Sequence, residues 1–209
     1  MFQVTVRILS LLLFSAATIS AAQEFSADIF PTSKNNADSG KIYVSNDKLR
    51  FESKERGGRG GIVIVNFVTH TTDILMPEQK MYMEMAQGQD SPGGAQRAFS
   101  FFRPPDVENA CGEWQRLARK PGGSCSKTGD EMVNGRKTIK YEGKSADGDV
   151  SHIWLDSKLK FGVKWEGKDG SGELRDIQEG AQPAGLFQIP ADYTKMDMGS
   201  MMQQHMPPH

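Results

Sequence analysis

Met81, Met83 and Met85 alternate with Lys80, Tyr82 and Glu84. Successive side chains of an extended chain leave opposite faces, so this alternation puts three thioethers on one face of a strand. Methionine is flexible and polarizable and adapts to irregular apolar shapes, as a promiscuous binding surface requires. With Phe101, Phe102 and Trp114 closing the opposite side, the row would line a pocket for acyl chains or another extended apolar ligand. The competing reading is that these methionines fill a sheet-to-helix core, the commoner fate of apolar side chains. A second group of soft ligands lies near the C-terminus, where Met196, Met198, Met201, Met202 and Met206 accompany His205 and His209. Thioether and imidazole together suit Cu(I). The candidate copper ligands are therefore Met198, Met201, Met202, His205 and Met206, although irregular spacing equally describes a disordered tail with adventitious affinity.

Other chemistry finds little to stand on. There is no Gly-x-Ser-x-Gly elbow and no His-Glu-x-x-His pair. His70 and His152 fall at strand ends and read as surface or half-buried residues, and Asp147 and Asp149 are turn formers first. Gly57–Gly61 precedes a strand, whereas a phosphate-cradling loop should lead into a helix. The expectation is a non-enzymatic protein with no cofactor. Twenty-five basic residues against 26 acidic ones give no electrostatic reason for a nucleic-acid partner. Trp154 and Trp165, in neighbouring predicted strands, are read as a structural pair across the sheet.

Arg7 precedes an uncharged apolar run, Ile8–Ile19, followed by Ser20, Ala21 and Ala22. Charge, run length and small residues together read as a signal peptide over residues 1–22, cleaved before Gln23. No later stretch approaches the roughly 20 apolar residues of a membrane helix, so no transmembrane segment is expected in the mature chain. One domain, residues 23–193, and a flexible Met/His-rich tail, 194–209, are expected in the periplasm. Cys111 and Cys125 are the only cysteines, and in an exported protein an isolated pair reads as a disulfide.

The elements that must position these residues are mostly short strands, because apolar residues alternate over brief runs punctuated by Gly, Asn and Asp. Strands are predicted over Phe25–Phe30, Lys41–Val44, Lys48–Glu52, Ile62–Val68, Thr71–Met76 and Gln79–Met85. A hairpin turn is expected at Ser45-Asn46-Asp47 and another turn at Pro77-Glu78. The unbroken Ile62–Val65 run suggests a strand covered on both faces. Lys54–Gly61 and Gln87–Gly94 read as exposed connections. Val107, Cys111, Trp114 and Leu117 share one face of a helix over Val107–Arg119, which the disulfide would tie to the loop that leaves it. Further strands follow at Lys137–Tyr141, Val150–Leu155, Gly162–Trp165 and Glu173–Ile177, with a final one at Leu186–Ile189. The fold class is mainly β, with some α.

Four segments carry a likeness: Gly40–Val44 with Lys48–Glu52, Asp73–Tyr82, His152–Asp156, and Leu186–Tyr193. In this order they resemble the periplasmic LolA/LolB/RseB-like half-barrel superfamily, which includes the lipoprotein carrier and receptor and an envelope-stress sensor domain. The pattern is most similar to a domain-of-unknown-function branch. The resemblance implies a curved antiparallel half-barrel sheet with one or more helices on an apolar concave side. It also implies a lipid or acylated lipoprotein as ligand, or an envelope protein as partner. One clear helix and a different disulfide position depart from the carriers.

Overall fold

The computed structural model describes residues 24–32, 39–54, 60–86, 101–117, 122–168 and 170–196. Two meanders make up the chain. The first runs β1 (Phe25–Pro31), β2 (Ser39–Val44), β3 (Lys48–Lys54), β4 (Ile62–Asn66), β5 (Thr71–Met76) and β6 (Met81–Ala86). A helix, α1 (Ala110–Leu117), precedes the second, which runs β7 (Ser124–Val133), β8 (Arg136–Lys144), β9 (Val150–Asp156), β10 (Phe161–Gly167) and β11 (Gly170–Glu179). Antiparallel pairing of β1 with β11 joins them, and β12 (Thr194–Lys195) adds a parallel edge strand on β6. The result is one 12-stranded sheet, ordered β12-β6-β5-β4-β3-β2-β1-β11-β10-β9-β8-β7, which curves without closing. The expected half-barrel is the architecture observed.

Local chemistry explains the turns. The Asn66 carboxamide oxygen accepts from the amides of Val68 and Thr69, so the strand expected to reach Val68 ends at Asn66. Asn134 and Gly135 have φ of 48° and 77°, as a two-residue turn with left-handed residues at both centres requires. That hairpin creates β7, a ten-residue strand where the sequence reading has only a loop after Cys125. Cys111 and Cys125 are bonded, and the bridge therefore ties α1 to a strand of the sheet rather than to its own exit loop. Leu186–Ile189 is not a strand. Ala184–Phe187 forms a single 3-10 turn between Pro183 and Pro190, and the Leu186 carbonyl accepts from the Arg50 guanidinium at 2.8 Å instead of from a ladder.

Register sorts the side chains between two faces. Directly paired residues point the same way, so Met83, Ile74, Val63, Phe51, Ile42 and Ala27 form one row across the concave face. Tyr82, Leu75 and Ile62 form a row on the outer face, where the C-terminal segment lays Leu186, Phe187, Ile189 and Tyr193 over Ile64 and Leu75. Ile64 is thus buried outside and Val65 inside, which accounts for the unbroken apolar run of β4. Trp154 does not pair with Trp165. It stands opposite Lys140 and Lys164, whose ammonium groups lie 4.7 and 4.2 Å from its ring centroid, and its indole N–H donates to Glu131 at 2.6 Å. Trp165 pairs instead with Ile153, because a bulge between Gly162 and Lys164 shifts the register.

Beyond Tyr193 the chain continues along β6. Thr194 and Lys195, the first residues of the expected tail, pair with Met81 and Tyr82, and the Met196 amide donates to the Tyr82 carbonyl at 2.8 Å. Lys195 bonds Glu84 at 2.7 Å. Beside Glu84 on the sheet, Asp73 carries a buried oxygen with no hydrogen-bond partner. Burial first, and then the Glu84 carboxylate, push its pKa up. At the other end of the sheet Asp156 is buried. It pairs with Arg136, which also bonds Glu179 at 2.9 Å, and its second oxygen accepts from the amides of Lys158 and Leu159.

Asp156→Ala leaves Arg136 without its buried partner and frees two turn amides, and a loss of about 3–5 kcal/mol is expected in urea denaturation. Asp73→Asn should have the opposite effect at neutral pH. A carboxyl whose folded pKa is raised favours the fold when protonated, and that contribution is lost as pH rises through the folded value. The variant should therefore melt above the wild type at pH 7, and the gap should close as pH falls toward the ordinary carboxylate range.

Candidate ligand-binding site

On the concave face, where the two meanders meet, the sheet does not pack solid. A cavity of about 270 Å³ lies there. Ile29, Ile42 and Phe51 wall it from β1, β2 and β3, while Leu174 comes from β11 and Phe161, Gly162 and Trp165 from β10. The Ile42–Phe51 and Ile29–Leu174 pairs are cross-strand partners, so the β1–β11 junction itself builds the wall. Phe102 completes it, edge-on to Trp165 at 5.2 Å and 6.3 Å from Phe161. The lining is almost wholly apolar, with no charged side chain and only the Trp165 indole as a polar side-chain group, so a ligand's charged group finds no counter-ion inside.

Phe102 is held in place from two directions. A Cβ at Gly162 would lie 2.7 Å from the Phe102 ring and 2.8 Å from Ile153, so the absence of a side chain there lets the ring approach the sheet. The next residue, Arg103, donates to the carbonyls of Ser45 and Asn46 at 3.3 and 2.9 Å and lies 5.5 Å from the centroid of Phe67. The β2–β3 turn thereby anchors the segment carrying Phe102. Burial lowers the Arg103 pKa, with Asp47 opposing that shift, and the group remains a cation.

Phe101 turns the other way. Its ring meets Phe102 edge-on at 5.9 Å and stacks on Trp114 at 4.2 Å with an interplanar angle of 6°. Trp114 belongs to α1, which packs through Ala110 and Trp114 on Ile139, Tyr141, Ile153 and Leu155. The Tyr141 hydroxyl donates to the Val107 carbonyl at 2.9 Å just before the helix, and burial raises its pKa. On the far side of the stacked pair lies a second cavity, of about 560 Å³. Its walls come from α1, the β7 start and the β8–β9 hairpin, and include Cys125, Gly143, Lys144 and Ser151.

The predicted site residues are thus divided. Phe102 lines the apolar cavity, whereas Phe101 and Trp114 line the second one. Met81, Met83 and Met85 share the concave face but not the cavity. Met83 begins the row that reaches Phe51 after Ile74 and Val63, about 14 Å away at the usual strand spacing. Met85 is 37% exposed, and Met81 and Met83 are half-buried. The sequence reading missed Ile29, Ile42, Phe51, Phe161, Gly162, Trp165 and Leu174. Their alternation within each strand was visible, but which strands face one another depends on the β1–β11 pairing. Met198, Met201, Met202, His205 and Met206 lie outside the described residues. Among the described residues no three His, Cys, Asp or Glu side chains form a metal-holding group, and His152 sits 3.1 Å from Glu142.

No family model matches the sequence, and no curated protein matches it. Solved structures do match in fold. An uncharacterized conserved protein from Thermus thermophilus aligns with a TM-score of 0.55 at 8% identity, over 85% of this chain and 91% of that one. PNGF-II aligns at 0.51 and 9% identity over 87% of this chain, which spans 32% of the longer protein. The MucA/MucB complex of Pseudomonas aeruginosa aligns at 0.48 and 16% identity, over 83% and 58% of the two chains. Among the described residues no helix is long and apolar enough to cross a membrane. Sheet order, curvature and a helix on the concave side make this chain an open, curved half-barrel, a fold it shares with the Thermus thermophilus protein.

Proposed function

We propose that this chain is an exported, non-enzymatic binding protein that holds an apolar ligand, a lipid or the acyl part of a lipoprotein, in the concavity of its half-barrel. The observation that carries the reading is the cavity of about 270 Å³ whose lining, from Ile29 to Leu174, is aliphatic and aromatic with no charged side chain. Transfer of a hydrocarbon chain from water to such a surface is favourable by about 25 cal/mol per Å² buried. The row through Val63 and Ile74 to Met83 continues the same face toward β6, and Met81, Met83 and Met85 offer an adaptable surface for the rest of a longer chain. Residues 1–22 as a signal peptide and the Cys111–Cys125 disulfide support the periplasm as the place of action.

The neutral dye N-phenyl-1-naphthylamine tests the cavity directly. Its fluorescence should rise on binding the mature protein, and Ile29→Trp, which fills the cavity from β1, should weaken binding about tenfold, or about 1.4 kcal/mol, with the melting temperature retained. No enhancement with wild type, or equal binding by a folded Ile29→Trp protein, overturns the reading. Native mass spectrometry of protein isolated from the periplasm should likewise release a reproducible lipid or acylated species.

A second reading, recognition of an envelope protein, is supported by one feature of the sheet. β7 is a ten-residue edge with a neighbour on one side only among the described residues, and a free edge can accept a partner strand. A photo-crosslinking residue at Met132, which is 63% exposed, should capture a discrete envelope partner in cells if this reading holds. Clean recovery of the uncrosslinked protein counts against it.

A further inference from the structure

The second cavity has a different character from the first, and the two adjoin. Phe102 lines one and Phe101 the other, and the two rings meet edge-on at 5.9 Å. Missing side chains let its walls draw close. A Cβ at Gly143 would lie 3.1 Å from the Trp114 ring and 3.3 Å from the Ser151 hydroxyl, and one at Gly123 would lie 2.8 Å from the Lys144 carbonyl. The Cys111–Cys125 bridge fixes the wall, since Cys125 lines the cavity and Cys111 belongs to α1.

Around this aromatic floor the rim is polar, with Gln115, Ser124, Lys144, Ser145, Asp147 and Ser151. The charges on it are not equivalent. Asp147 is already engaged within the fold. Lys144 is exposed and, like Lys41, Lys48, Lys137 and Lys160, makes no ion pair among the described residues, and of these it alone lines the second cavity. The rim therefore offers an ammonium group without an ion-pair partner among the described residues and with hydroxyls beside it, a combination that suits a phosphate-type anion.

We infer that the second cavity receives the anionic phosphate head of an amphiphile whose hydrocarbon chain passes the Phe101–Phe102 pair into the apolar cavity. This rests on the acyl-binding reading and adds the chemical class of the head. One molecule would satisfy both sites, because a chain needs no polar partner and a phosphate finds no cationic side chain in the lining of the first cavity.

Lauroyl lysophosphatidylglycerol, glycerol 3-phosphate and the neutral naphthylamine dye separate the possibilities. The lysolipid should displace the dye from wild-type protein. Lys144→Glu should weaken the lysolipid about tenfold and leave dye binding unchanged, and Lys144→Gln should fall between. Ala146→Trp, a bulky residue at the exposed rim, should also weaken the lysolipid while sparing the dye. Lys137→Glu, the same charge change near the other end of β8, should alter neither. Normal dye binding with equal lysolipid affinity in wild type and Lys144→Glu overturns the head-group inference and leaves the acyl reading standing. Failure of both dye and lysolipid to bind wild type removes the acyl reading and this inference together. Glycerol 3-phosphate binding as tightly as the lysolipid shows a site for small anions and overturns the amphiphile.

Discussion

Antiparallel pairing of β1 with β2 on one side and β11 on the other is the contact on which the half-barrel depends. Each meander is local, built from hairpins that neighbouring residues can specify. The β1–β11 ladder instead joins residues near position 25 to residues near position 179, and the loop entropy of bringing them together must be offset by what the junction buries. Phe25 and Ala27 are fully buried there, and Phe25 meets Phe161 edge-on at 5.3 Å. Without that ladder there would be two smaller sheets with open edges and no shared concavity.

The same junction makes the apolar cavity a product of the whole fold. Three of its wall residues belong to β1–β3 and four to β10–β11, while its cover comes from a connection pinned by Arg103 to the β2–β3 turn. Polar groups are kept to the periphery. Arg136, Asp156, Glu179 and Lys158 form a connected network at one end of the sheet, and Trp154 is shielded on the outer face by two lysines. Two buried polar atoms lack a hydrogen-bond partner among the described residues, Asp73 Oδ1 and the Trp114 indole nitrogen. Each costs free energy that a satisfied group would not. Trp114 is also the floor of the second cavity.

The two cavities differ because of what surrounds them. Sheet faces built from alternating Ile, Phe, Leu and Trp present mostly hydrocarbon and no charge. The hairpin between β8 and β9 and the start of β7 bring backbone turns, serines and a lysine to the end of α1. A ligand spanning both would meet apolar surface first and hydrogen-bonding groups at the exit, a division of labour common to sites that bind amphiphiles.

Strand alternation, turn residues and the cysteine pair were legible in the sequence because they depend on neighbours within a few positions. Thr71–Met76 has the ends the apolar pattern predicts, and the Ser45-Asn46-Asp47 turn joins β2 and β3 as expected. β7 was missed although Asn134-Gly135 announces its hairpin, because its Ser, Lys, Thr, Asp and Glu residues leave it without an apolar face. Leu186–Ile189 reads as a strand by its apolar residues, yet flanking prolines and a carbonyl turned to Arg50 make it a cover for the outer face. Met81, Met83 and Met85 do share one face, but the cavity that Phe102 lines does not include them, although the sequence pattern suggests one pocket for all four. The sequence by itself determined the strands that carry an apolar face, since period-two alternation is a local property. Only the tertiary structure decided which faces meet and where space remains between them, since that follows from pairings more than a hundred residues apart.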